Sequence, residues 1–266
     1  MKIGITGING VLGSALKKKL KNYSYIKYVK GFNGNITKKK DIQNWLNQND
    51  FDAIFHFAAI VSIKKVNSNP VYACNVNLNG TSNLIESLKT HKKNIWFFFA
   101  STSHVYKPKL APIKESDEIC PQNIYAMSKY LAENILISIT ANSKINLCIG
   151  RIFSFYDKSQ SIDFLYSSFK NKFKKEKKNT FLVSGLDNKR DFLSANQVVS
   201  IIFKLFKNKA KGIYNIGSGK PTTVKNFIKK LTKKKIILIK KKNEKKNNLI
   251  ANIDKLNFFL KNSSKS

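Results

Sequence analysis

Tyr125 and Lys129, in Tyr125-Ala126-Met127-Ser128-Lys129, stand four residues apart. On a helix that spacing brings both side chains to one face. An ammonium beside a phenol favours the phenolate and draws its pKa toward working pH, which suits Tyr125 to general acid/base work. By itself the pair also fits a surface tyrosine next to a solvated lysine. A hydroxyl cluster, Ser101-Thr102-Ser103, closes the apolar run at 95–100. Ligands of open α/β sheets sit at the carboxyl ends of the strands, so a hydroxyl there can bond a substrate carbonyl or alcohol.

A second constellation lies at the start of the chain, in Thr6-Gly7-Ile8-Asn9-Gly10-Val11-Leu12-Gly13. It follows a β-rich run and opens an apolar-periodic helix. In that setting the first glycine permits a sharp turn, the second admits a pyrophosphate to the backbone, and the third lets helix and sheet pack closely. The N–H groups and dipole of the helix start would hold the phosphates. Gly7, Asn9, Gly10, Val11, Leu12 and Gly13 are the candidate cofactor contacts. An acidic residue for a ribose 2′-hydroxyl is expected some 20 residues on. The second strand instead ends Lys27-Tyr28-Val29-Lys30-Gly31. Lys30 would face a 2′-phosphate, or is one more solvated lysine, and both NAD and NADP stay open.

Elements that position these residues can be read from hydrophobic period. Strands are expected at 2–6, 26–29, 53–57, 95–100 and 146–149, and helices at 11–20, 41–47, 75–88 and 125–139. Strand and helix alternate, which predicts an α/β fold, a Rossmann-type doubly wound parallel sheet. Its dinucleotide domain would cover residues 1–154. Residues 155–266 read as a smaller substrate-binding lobe, partly interleaved with the first. Its helices are expected near 164–173 and 224–231, its strands near 181–183, 213–216 and 236–239. From 240 onward the chain reads as charged and loosely ordered.

Among 49 basic residues only Arg151 and Arg190 are arginine, against 15 acids and a net charge of +34. Base-edge readers lean on the guanidinium fork that lysine lacks. The lysines come with many Asn and Ile residues, a compositional drift rather than a nucleic-acid face. The charge still helps draw in an anionic substrate. No membrane span and no secretory segment is expected. Cys74, Cys120 and Cys148 match neither a disulfide framework nor a metal cluster, which suits a cytoplasmic setting.

The motifs together resemble the extended short-chain dehydrogenase/reductases, the NAD-dependent epimerase/dehydratase family acting on nucleotide sugars. The signposts, from residue 1 to about 231, are the Thr6–Gly13 cradle, His56-Phe57-Ala58-Ala59, Asn77-Leu78-Asn79-Gly80-Thr81, Ser101-Thr102-Ser103-His104-Val105-Tyr106 and Tyr125–Lys129. Arg190-Asp191-Phe192 and Tyr214-Asn215-Ile216-Gly217-Ser218-Gly219-Lys220-Pro221 follow. The resemblance implies that Tyr125 is the acid/base, Lys129 holds the nicotinamide ribose and Thr102 is the catalytic hydroxyl. Asn77 stands behind the site, and Ala58 and Ala59 let the cofactor pass. Asn35, followed by Ile36, takes the slot of an aspartate that meets the adenine amino group. His56 is read as a satisfied core histidine. Ser103 and His104 stand where family dehydratases carry an Asp-Glu pair, which disfavours dehydration. Ser154 replaces a substrate-holding asparagine, and Asn196 and Gln197 replace acids. Ser103, His104, Ser154 and Arg190 are the candidate substrate contacts. The implied activity is 4-epimerisation or 4-ketoreduction of a nucleotide sugar, in a chain that would pair as a homodimer. The altered substrate motifs also admit a non-catalytic Rossmann nucleotide or redox sensor.

Overall fold

The computed structural model describes residues 1–90, 93–176, 179–242, 244 and 246–263. The chain begins β1 (Lys2–Thr6), α1 (Val11–Leu20), β2 (Tyr28–Gly31), α2 (Lys39–Asn47), β3 (Ala53–His56), α3 (Ile63–Ser68) and α4 (Pro70–Cys74). A π-helical turn at Asn75–Asn79 leads into α5 (Gly80–Lys89), then β4 (Ile95–Thr102) and a 3-10 turn at Ser103–Val105. Next come α6 (Ile124–Thr140), β5 (Ile145–Ile152), β6 (Phe155–Tyr156), α7 (Leu165–Lys175), β7 (Thr180–Val183), β8 (Lys189–Asp191) and β9 (Leu193–Ser194). The last elements are α8 (Ala195–Lys207), β10 (Gly212–Ile216), β11 (Pro221–Thr223), α9 (Val224–Lys229), β12 (Ile237–Lys240) and α10 (Asp254–Asn262).

Six strands form one sheet in the order β2-β1-β3-β4-β5-β10, every pair parallel. Parallel strands are covered on both faces and so read as near-continuous apolar runs. β3 and the first five residues of β4 are buried throughout. Their period of two still sorts the side chains. Phe55, Trp96 and Phe98 face α1, α8 and α10, while Ile54, Phe97 and Phe99 face α2, α5 and α6. The doubly wound Rossmann sheet expected from the alternation is present. Strand order reverses at β1, which has β2 on one side and β3 on the other. That reversal opens a crevice at the carboxyl ends of β1 and β3.

The short elements α3, α4, β6, β8, β9 and β11 were not expected from the sequence, and two larger features differ as well. No helix was expected at 195–207, yet α8 is a 13-residue helix burying seven side chains against the sheet. Its start carries a full capping box, Ser194 with Gln197, followed by an apolar run. That signature is visible in the sequence. The tail is also docked rather than loose. Leu249 bridges to Arg190, Ala251 bridges to Ile113, and α10 buries Leu256 in the core. Separately, Phe169, Phe173, Phe181, Val183, Leu186, Val224 and Ile228 form a small core outside the main sheet.

Phe206 of α8 lies 5.3 Å from the Phe55 ring and 5.2 Å from Trp96, at 3% exposure. Phe206→Ala is expected to lower stability by about 3–5 kcal/mol, the usual cost of emptying such a site, read as a shifted urea midpoint.

Candidate active site

The glycine turn is built as its residue types require. Gly7 has φ 69°, a left-handed conformation, and a Cβ there would stand 2.7 Å from the Ala58 nitrogen. A Cβ on Gly13 would stand 2.2 Å from the Gly7 oxygen. Gly10 meets only that oxygen, at 3.2 Å, and so leaves the mouth of the turn open. Gly10 N–H donates to Gly7 O at 3.0 Å, which puts Ile8 and the exposed Asn9 at the tip. α1 has no side-chain cap and no acid in its first turn. Its first N–H groups therefore face outward without an internal partner. Leu12 is buried in the core, so it and Val11 can serve an anion through backbone N–H only. This cradle fits the pyrophosphate of a dinucleotide.

A directional hydrogen-bond chain joins the cradle to the helices behind it. The Ala58 N–H donates to Thr6 Oγ1 at 3.2 Å. Thr6 Oγ1 then donates to His56 Nδ1 at 2.6 Å, and His56 Nε2–H donates to Thr81 Oγ1 at 2.9 Å. Thr81 Oγ1 donates to the Asn77 carbonyl at 2.7 Å. The backbone groups at both ends fix this polarity and assign the Nε2–H tautomer. Burial holds His56 neutral, with a pKa down at about 3, and the Lys129 charge acts in the same direction. The core-histidine reading holds. Asn77, itself buried, clamps both backbone groups of Ile60, at 2.7 and 3.0 Å, and donates to Ser128 Oγ at 3.1 Å. The segment Ala58–Ala59–Ile60 is thereby tied to α6 through the π-helical turn.

α6 starts on Asn123, whose side chain accepts from the Ala126 N–H. Thr102, at the end of β4, lies near enough to Tyr125 to favour its phenolate, so the phenol and the alcohol converge. Lys129 is 2% exposed, its ammonium 3.9 Å over the Phe99 ring. Burial pushes Tyr125 up to about 12, and Thr102 draws it back only in part. Burial takes Lys129 down to about 7, against the pull of Glu133. The expectation that Lys129 lowers the tyrosine is therefore corrected. Desolvation is the largest cause for both groups, and Lys129 is not among the causes that act on Tyr125.

Glu133, one turn beyond Lys129, is a buried group that the sequence reading passed over. It takes Arg151 from β5 through Nε at 3.2 Å and Nη2 at 2.7 Å, and Ser101 donates to it as well. Its position eight residues after Tyr125 on the same helix face was the available signal. Arg151 also lies 4.7 Å over the Tyr106 ring, and the Tyr106 hydroxyl donates to Asn215 Oδ1 at 2.7 Å.

The substrate-side residues are less evenly placed. His104 is half-buried and held down at about 4, first by burial and then by the nearby Arg190 charge. Arg190 itself is lowered by burial to about 10 and donates to Lys189 O and to the oxygens of Asn247. Ser103 is 2% exposed, while Ser154 is half-buried with its carbonyl taken by Leu193 N–H. Asp191, also outside the sequence reading's site, accepts from Ser218 N, Ser218 Oγ and Gly219 N at 2.6–2.7 Å and so shapes the 217–219 loop. On the adenine side, Asn35 Oδ1 accepts from Thr37 N at 3.0 Å and Thr37 Oγ1 at 2.8 Å. Both its lone pairs are used, leaving the amide N–H groups as its free hands. Ile36 is buried against Gly80, and Lys30 is exposed at the end of β2.

With this geometry in view, a family model described as GDP-mannose 4,6 dehydratase matches residues 14–258. The chain belongs to that family, the extended short-chain dehydrogenase/reductases. A putative UDP-glucose 4-epimerase of Methanocaldococcus jannaschii is 28% identical over 83% of this chain and 78% of its own length. A GDP-6-deoxy-D-mannose reductase of Pseudomonas aeruginosa is 27% identical over 68% of this chain and 62% of its own. A GDP-6-deoxy-D-talose 4-dehydrogenase of Aggregatibacter actinomycetemcomitans is 30% identical over 77% and 70%. Among solved structures, RMD from P. aeruginosa complexed with NADPH superposes with TM-score 0.87 at 20% identity, covering 98% of this chain and 92% of that one. A Thermus thermophilus UDP-glucose 4-epimerase complexed with NAD gives 0.85 at 20% identity, covering 97% and 92%. The fold is that of this enzyme family.

Two outcomes test the wiring. Thr81→Val strands the His56 Nε2–H in the core and is expected to cost about 1–3 kcal/mol in chemical denaturation. A lysine in the unfolded chain titrates near about 10.4, so from about pH 7 upward to that value the unfolded state holds more protons. Lys129 therefore makes stability rise with pH across that window. The stability of the native chain relative to Lys129→Met is expected to rise between about pH 7 and about pH 10.

Proposed function

We propose that the protein is an NAD(P)-dependent nucleotide-sugar 4-epimerase or 4-ketoreductase. The observation that carries this is the placement of Tyr125 next to Thr102 at the strand ends, beside an open, uncapped phosphate cradle. The epimerases and reductases among its relatives support the same reading. A bound nicotinamide would supply the hydride acceptor and donor. Thr102 would hold the reacting sugar oxygen, and Tyr125 would take or return its proton. Lys129, four residues along the same face, would hold the nicotinamide ribose and add positive charge near the phenol. A positive neighbour must bring Tyr125 down from about 12 before it can act as a base near neutrality.

Loss of water would need a carboxylate beside the threonine. Ser103 and His104 occupy those positions, and among the described residues no carboxylate hydrogen-bonds Thr102 or Tyr125. Glu133 is committed to Arg151 and Ser101. We therefore favour epimerisation or ketone reduction over the dehydration for which the matching family model is named. The half-buried Arg190 supplies a cation on this side, near a His104 that burial keeps neutral, which suits the diphosphate or the sugar of the substrate. We assign residues 155–266, outside α8, β10 and α10, to the lobe that covers this substrate. Cofactor choice rests on Lys30, which would favour a 2′-phosphate.

Tyr125→Phe is expected to lower turnover by at least about 100-fold with the melting temperature unchanged, measured on a panel of UDP- and GDP-sugars. Titration of intrinsic fluorescence with NADH and NADPH reads cofactor preference in the same preparation. Cofactor binding with no conversion across the panel would favour the sensor reading instead.

The chain is also proposed to pair with a second copy. Ile124, Met127 and Leu131 are each more than 40% exposed along one face of α6, and the neighbouring α4 exposes Val71 and Tyr72. Leu131→Glu is expected to shift the mass found by sedimentation from two chains to one.

A further inference from the structure

Lysine is unevenly spread. Residues 165–180 and 225–246 hold 17 of the 47 lysines and only two acids, Glu176 and Glu244. That is more than twice what an even spread over 266 residues would give, so a chain-wide drift of composition does not account for it. The two segments are adjacent in space. Lys170 Nζ donates to Leu231 O at 3.0 Å, Lys234 Nζ donates to Phe173 O at 3.0 Å, and β7 pairs with β12. They enclose the small separate core.

The β7–β12 pair has two unlike faces. Phe181, Val183 and Leu238 turn inward to that core. On the other face Leu182 is 64% exposed, Ile237 62% and Ile239 48%. Leu182 and Ile239 are direct partners in the ladder. Lys241, which continues the ladder through its N–H to Val183 O, follows Ile239 at the strand period of two and is exposed beside this face. Lys235 and Lys242 are exposed before and after the strand, and Lys240 is exposed in an ion pair with Asp187 at 2.9 Å. Three neighbouring aliphatic side chains thus stand clear of the surface, with ammonium groups beyond both ends of the strand.

We propose that this face docks on an anionic lipid surface. Aliphatic groups gain by entering the interface between headgroups and acyl chains, while the surrounding lysines meet anionic headgroups. Each lysine held near such a surface strengthens binding by roughly fivefold at moderate salt. A nucleic acid is less well matched. The apolar residues of this face are aliphatic, so they offer no ring for a base to stack on. The lysines carry no guanidinium fork to read one. The contact would be peripheral, because among the described residues no helix is long and apolar enough to cross a membrane. The face uses none of the residues placed around Tyr125.

The test is flotation of the full chain with phosphatidylcholine vesicles, with and without about 30% phosphatidylserine, at about 0.15 M salt. The expected result is flotation with the anionic vesicles only. A variant carrying Leu182→Ser, Ile237→Ser and Ile239→Ser is expected to bind them about tenfold more weakly, with unchanged melting temperature and NADPH titration. The proposal is overturned if the native chain does not float, or if the triple variant floats equally well. It is overturned too if single-stranded DNA displaces the vesicles while the triple variant keeps its DNA affinity, which would make the face a polyanion site.

Discussion

At the carboxyl ends of β1 and β3 the backbone comes so close that there is no room for a single β-carbon. A methyl at Gly7 would strike the Ala58 nitrogen, and one at Gly13 would strike the Gly7 oxygen. From this approach the rest follows. It brings Thr6 within reach of both the Ala58 N–H and His56, so the strand end and the loop after it share one hydroxyl. It aims the uncapped start of α1 into the crevice left by the reversal of strand order. A dinucleotide bound there needs no dedicated charged side chain for its phosphates, since the helix start supplies them with donors and a dipole.

The catalytic side depends on α6 in a comparable way. Tyr125, Lys129 and Glu133 follow one another at intervals of four, so one helix face carries phenol, ammonium and carboxylate in line. The carboxylate is locked to Arg151, and a buried pair of this kind contributes little net stability while costing about 3–5 kcal/mol to break on one side. Its use here is registration of α6 against β4 and β5. The same burial moves the Lys129 and Tyr125 protons far from their solution behaviour, favouring the uncharged form of each.

Legibility in the sequence followed the range of the interactions. The cradle, the Tyr125/Lys129 face and the strand-end hydroxyl are local patterns, and the residues found there sit as their spacing implied. The π-helical turn was read as part of one plain helix at 75–88, because Asn77 is drawn to Ile60 and Ser128 by contacts 17 and 51 residues away. Glu133 and Asp191 were passed over for the same reason, their partners being distant in the chain. Asn35 was given the slot that meets the adenine amino group, and a local turn with Thr37 already uses its side-chain oxygen. The miss at α8 was of another kind. Its capping box, Ser194 with Gln197, and the apolar run after it are both local patterns.

Residues 249–252 join three parts of the molecule that are far apart in sequence. They touch Ile113 in the loop that leads to α6, Arg190 beside His104, and Asn215 in the outermost strand of the sheet. The first half of the chain anchors α6 by itself through Asn77, Ser101 and Arg151, and these last contacts fix the loop before α6 and the Arg190 side of the site. Completion of the site therefore waits on the end of synthesis, and damage near residue 250 should be felt in that loop and beside Arg190.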